Sequence, residues 1–125
     1  MSAPKRIQQR RTKGWRKPEG AVAVGRGTKW GNPVRIVPVH RGGPFDLKRD
    51  GVGFIGQTAG IESARASAAR RFRNLVDLGL APSVDEIRAE LAGKDLMCWC
   101  PLGSPCHADV LLELANPTPP PPEEG

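Results

Sequence analysis

The stretch Leu96-Met97-Cys98-Trp99-Cys100-Pro101-Leu102-Gly103-Ser104-Pro105-Cys106-His107-Ala108-Asp109 holds all three cysteines and one of the two histidines in the chain. Its apolar start, Asp95 to Cys100, reads as a central β-strand. On a strand, Cys98 and Cys100 point to the same face. A turn rich in Pro and Gly follows, and Ser104 with Pro105 then reads as the cap and first turn of a helix running to Ala115. This order brings three sulfurs and an imidazole to one strand-to-helix corner, where the chemistry is expected.

Upstream, the same logic gives a domain. Ser83-Val84-Asp85-Glu86 caps a helix through Leu91, with Glu86 at the capping-box position. From Gly60 to Leu78, Ile61, Ala64, Ala68, Phe72, Leu75 and Val76 recur at helical spacing, with Arg65, Arg70, Arg71 and Arg73 largely off that stripe as a solvated face. Gly79 and Pro82 stop this helix. Val34 to Val39 carries Pro38 and reads as an edge or extended segment. The stretches 40–46 and 48–51 read as turns, and Val52 to Ile55 as a brief hairpin strand. Ala21 to Val24 reads as a short buried strand that opens into Gly25-Arg26-Gly27-Thr28-Lys29-Trp30-Gly31-Asn32-Pro33. The predicted fold class is α/β: a small single domain with a three- to four-stranded sheet and about three helices. The domain occupies 21–116, between a flexible basic arm (1–20) and a Pro-rich disordered tail (117–125).

The loop of residues 25–33 offers backbone N–H groups to an anion. It is neither a Gly-x-x-x-x-Gly-Lys-Ser/Thr phosphate loop nor a dinucleotide fingerprint. If the strands before the two loops are parallel neighbours, Arg26, Lys29, Trp30 and Asn32 emerge beside Cys98, Cys100, Cys106 and His107.

Charge points the same way. The net charge is +6, and residues 1–41 carry eleven Lys/Arg against Glu19 alone. Such an arm attracts phosphate through counterion release without reading sequence. An apolar run long enough for a membrane span and a signal-peptide core are both missing, so a cytoplasmic protein is expected. Three clustered cysteines are not the spread framework of a disulfide-stapled chain, which fits a reducing compartment.

Three readings of the cysteine cluster stand. Cys98, Cys100, Cys106 and His107 form a zinc donor set, although adjacent Cys106 and His107 do not easily reach one ion. Alternatively Cys106, lowered in pKa by a helix N-terminus, is a nucleophile with His107 or His40 as base. In the third reading the thiols are small buried hydrophobes and His107 helps cap the helix. A nucleobase deaminase is excluded, because the chain lacks both His-x-Glu and Pro-Cys-x-x-Cys.

Gly25-Arg26, Lys29-Trp30-Gly31-Asn32-Pro33, Gly93-Lys94-Asp95-Leu96, Cys98-Trp99-Cys100 and Cys106-His107-Ala108-Asp109-Val110-Leu111-Leu112 together resemble a family of small proteins. That family is catalogued as a domain of unknown function and is frequent in phages and bacterial genomes. The resemblance spans residues 21–116, implies no activity, and leaves 41–56 as a candidate insertion. Its motif positions are Arg26, Lys29, Trp30, Asn32, Cys98, Cys100, Cys106, His107 and Asp109. The leading expectation is a zinc site facing a basic loop that takes a nucleotide or nucleic acid, with Arg26 and Lys29 on phosphate, Trp30 stacked on a base and Asn32 hydrogen-bonded to it. One alternative is an enzyme of nucleotide or nucleic-acid modification, using Cys106, with His107 and Asp109 beside it, or metal-bound water. Another is a non-catalytic accessory protein that binds a host protein.

Overall fold

The computed structural model describes residues 4–117. In chain order it contains β1 (Arg6–Gln8), β2 (Val22–Ala23), β3 (Val34–Pro38), β4 (Phe45–Arg49), β5 (Gly53–Thr58), α1 (Ile61–Asp77), α2 (Val84–Leu91), β6 (Leu96–Cys98) and α3 (His107–Ala115). The strands form two three-stranded sheets, β1-β6-β2 and β3-β4-β5. The chain is a mixed α/β domain, and its strands divide between two sheets where one was expected.

The first sheet is parallel throughout. β6 lies at its centre, with Arg6 opposite Leu96 on one side and Val22 opposite Leu96 on the other. Leu96, Met97 and Cys98 are all buried. That unbroken apolar run suits a parallel strand covered on both faces. β2 and β6 pair in parallel, which meets the condition set above, so the loops that follow them leave the same edge of the sheet.

The second sheet is an antiparallel meander. β3 lies at its edge, and Pro38 is the last residue of the strand. There the missing N–H is tolerated. The turns expected over 40–46 and 48–51 are corrected at Phe45–Arg49, which is the middle strand. The charges that suggested a turn alternate with an inward-facing side chain. Leu47 is fully buried, while Asp46 accepts a hydrogen bond from Gln57 Nε2 at 2.8 Å on the adjacent strand. Residues 41–56 thus supply the meander's middle strand, the turns around it and the first part of β5.

The flexible arm expected over residues 1–20 is corrected at Arg6–Gln8, which pairs with β6. Ladder bonds hold it: Leu96 N donates to Lys5 O at 3.0 Å and Gln9 N to Cys98 O at 2.7 Å. Three residues are too few for a periodic pattern to show in sequence. Residues 1–3 of that arm and 118–125 of the expected tail lie outside the described residues.

Helix α1 partitions two cores. Phe72 and Val76 pack with Val24, Ile87, Leu91, Leu96 and Leu111, while Ala64, Ala68 and Leu75 pack under the meander with Val34 and Leu47. Small residues on that helix let the meander approach its axis. Its C-terminus closes as a Schellman motif: Leu80 N donates to Leu75 O at 2.8 Å and Gly79 N to Val76 O at 3.1 Å. Gly79 takes the left-handed φ of 76° that this closure requires. Ser83 caps α2 as expected, accepting from Glu86 N at 3.2 Å.

Candidate functional site

Cys98 ends the central strand, Trp99 turns outward with 48% of its surface exposed, and Cys100 turns back inward. This is the strand alternation read from the sequence. The Ser104 cap is corrected, because the N-cap of α3 is Cys106, in extended backbone at φ −152° and ψ 151°. Cys106 Sγ accepts from Ala108 N at 3.5 Å, and Asp109 accepts from Cys106 N at 3.3 Å. This is a capping box with sulfur in place of hydroxyl. Ser104 is drawn elsewhere: its Oγ donates to Glu62 Oε1 at 2.7 Å and accepts from Arg65 Nη1 at 2.9 Å, tying the cysteine loop to α1.

The sulfurs of Cys98, Cys100 and Cys106 all lie within 4.8 Å of one another, a grouping that could hold a metal ion. Cys106 Sγ and Cys98 Sγ are 3.5 Å apart. All three thiols are free of disulfides. Hydrogen bonds from Cys100 and Cys98, with a further contribution from His107, push the Cys106 thiol well below its ordinary range. Cys98 and Cys100 are pushed up, mainly through the hydrogen bonds they make within the cluster, with burial adding to the effect. Cys106 is therefore the first of the three to ionise.

His107 stands outside the three-sulfur group. Its Nε2 lies 2.7 Å from Val24 O, an acceptor, so Nε2 carries the proton. Nδ1 is left facing Cys106 Sγ at 3.6 Å. The ring also packs edge-on against Phe72, with centroids 5.3 Å apart. His107 thus joins the root of the glycine-rich loop to the start of α3.

A pocket of about 440 Å³ opens at the carboxyl edge of β2 and β6. Gly25, Arg26, Asn32 and all three cysteines line it, with β3 and α1 forming the opposite wall. The structure thus brings Arg26 and Asn32 to the pocket that the cysteines line, but not Lys29 or Trp30. Trp30 is buried in the core. Lys29 pairs with Glu86 and, at 2.7 Å, with Glu90 on α2. Those two carboxylates raise its pKa. Asn32 is committed to the fold, donating to Ala68 O at 3.0 Å and accepting from Val34 N at 2.9 Å. Within the loop, the N–H groups of Thr28 and Gly31 close turns on Gly25 O and Thr28 O. Gly31 permits this tight path, since a Cβ there would stand 3.0 Å from Gly25 O. His40 is exposed, away from the pocket lining.

The exposed Lys29 pairs predict a small effect. Lys29→Ala is expected to leave the thermal midpoint unchanged at high salt and lower it slightly at low salt. A loss that persists at high salt would show a packing role for the side chain.

Three site residues have no clear sequence signal. Arg35 and Arg65 line the pocket from β3 and α1. Arg35 Nε meets Asp50 at 2.9 Å, and Arg26 reaches the same carboxylate at 3.7 Å. The third is Arg6. Its Nη2 donates to the carbonyls of Pro101, Leu102 and Ser104 at 2.9, 2.6 and 2.7 Å, and Nη1 stands 3.3 Å from Asp109. Only 6% of this side chain is exposed. A cation from the basic arm therefore clamps the cysteine loop.

Among the described residues, no helix is long and apolar enough to cross a membrane. No curated protein and no solved structure matches the chain. A family described as a domain of unknown function (DUF4326) matches residues 7–117, from β1 through the pocket and cysteine corner to the end of α3. The chain belongs to that family.

Proposed function

We propose that the protein holds zinc at Cys98, Cys100 and Cys106 and binds the phosphate of a nucleotide or nucleic acid in the adjoining pocket. The observation that carries this reading is the group of three sulfurs within 4.8 Å, all of them lining a pocket that Arg26, Arg35 and Arg65 also line. Four ligands around zinc at about 2.3 Å put neighbouring sulfurs about 3.8 Å apart. The Cys98–Cys106 separation of 3.5 Å is close to that edge. Three soft donors favour zinc or monovalent copper over oxygen-seeking cations. Arginines suit phosphate through their planar forked donors.

A second reading has support of its own. Cys106 caps a helix, stands 3.6 Å from His107 Nδ1 and ionises first in the cluster. A thiol so placed suits a nucleophile in an enzyme of nucleotide or nucleic-acid modification.

Mass spectrometry for metal on the native protein, Cys98→Ser and Cys106→Ser separates the readings. The proposal expects one zinc per chain in the native protein and none in either variant. A metal-free native protein that alkylates at Cys106 would replace it with the second reading. For the ligand, binding of a fluorescent oligonucleotide is expected to weaken with rising salt and to fall in Arg26→Ala/Arg35→Ala. Binding unchanged by both would remove the phosphate half.

A further inference from the structure

Among the described residues the cluster supplies three donors, and a tetrahedral metal needs a fourth. The neighbouring groups do not join the cluster. His107 gives Nε2 to Val24 O at 2.7 Å, and its free Nδ1 stands 3.6 Å from Cys106 Sγ, but the ring falls outside the group of atoms that all lie within 4.8 Å of one another. Asp109 is turned to Cys106 N and Arg6, and Glu62 is turned to Ser104 and Arg65. Meanwhile all three cysteines border the pocket, whose volume of about 440 Å³ lies in the range of small-molecule sites. Its wall carries the cations of Arg26, Arg35 and Arg65 and the half-exposed indole of Trp99.

Resting on the metal reading above, we infer that the fourth position opens into this pocket. It is completed by one molecule that offers a donor atom to the metal and an anionic group to the arginines. A nucleoside monophosphate has that chemistry: ring nitrogens as metal donors, an aromatic base for the Trp99 face and a phosphate for the guanidinium groups. Three protein ligands with a ligand-filled fourth position is the pattern of reactive rather than purely structural zinc sites.

The test is cobalt substitution of the full chain, because cobalt absorption in the visible reports its coordination directly. Guanosine 5′-monophosphate, imidazole and inorganic phosphate are titrated separately. The expected result is a shift of the cobalt bands by the mononucleotide at a concentration at least ~tenfold below that needed for imidazole or phosphate alone, a difference of about 1.4 kcal/mol. Arg26→Ala/Arg35→Ala is expected to erase that advantage while leaving the starting bands in place. Bands that none of the three probes moves would overturn the inference, and so would bands lost in a folded His107→Gln variant, since the imidazole would then be the fourth ligand. The titration of the native chain needs no variant to fold. A chain that takes up no cobalt and no zinc fails at the earlier step, and that result overturns the metal reading itself.

Discussion

Stripping the metal with a chelator is expected to lower the unfolding free energy by about 4 kcal/mol when the free metal had stood at roughly a thousand times its dissociation constant. In a domain of this size that is a fall in the thermal midpoint on the order of 15 °C. The size follows from where the ligands sit. Cys98 closes the central strand, Cys100 lies in the turn and Cys106 caps α3, so an ion held by all three would join segments that are otherwise linked by a loop. An unfolded chain holds no preformed site, and so binding free energy becomes folding free energy. Binding must also expel thiol protons, so the chelator is expected to succeed at lower concentration as the pH falls. Thermal unfolding of the native protein with and without chelator, then with zinc restored, measures the effect. Cys98→Ser should start at the lower midpoint and ignore the chelator. Equal midpoints for loaded and stripped native protein would leave the cluster with no structural metal.

The strand-to-helix corner was legible because its signals are local. The alternation Cys98-Trp99-Cys100 and the helix entry at Cys106 both follow from spacing, whereas the parallel pairing that joins the two loops is a condition that only the fold meets. The cap was misplaced by two residues for a physical reason. Ser104 is the better intrinsic cap, yet Glu62 and Arg65 compete for its hydroxyl, and Cys106 with Asp109 closes the box instead. Trp30 and Lys29 look like ligand groups in the sequence, because an indole and an ammonium in a glycine-rich loop look available. The core took the first, and the acidic face of α2 took the second. The pocket has another indole in Trp99, which reads in sequence as part of the central strand but lies just past its end at Cys98.

Long-range partners were not legible. Arg65 looks like one more cation on a solvated helix face until the fold sets it against a serine in sequence far away. The strand Phe45–Arg49 looks like a turn until its neighbours supply hydrogen bonds on both sides. In each case the deciding interaction is non-local, and composition carries no trace of it.

Arg6 shows what such a contact is worth. Replacing it with alanine is expected to cost about 3 kcal/mol, within the range for losing several charge-assisted hydrogen bonds made by a buried guanidinium. The loss should come mainly from the carbonyls. The carbonyls of Pro101, Leu102 and Ser104 all converge on Nη2, and the Ser104 bond is partly buried. Asp109 keeps a half-exposed carboxylate that water can solvate, so the ion pair adds less. Arg6→Lys should recover only part of the stability, because a compact ammonium cannot reproduce the planar guanidinium fork. Asp109→Ala in the Arg6→Ala background should add little beyond its own cap loss. Urea midpoints for these variants give the energies, and the alkylation rate of Cys100 reports the loop, which should become more accessible once its clamp is gone. The same variant should hold metal more weakly, since the loop that presents Cys100 would no longer be fixed against β1. A stability loss under about 1 kcal/mol with Cys100 still protected would mean that the ladder of β1 alone holds this corner, and that the arginine merely covers it.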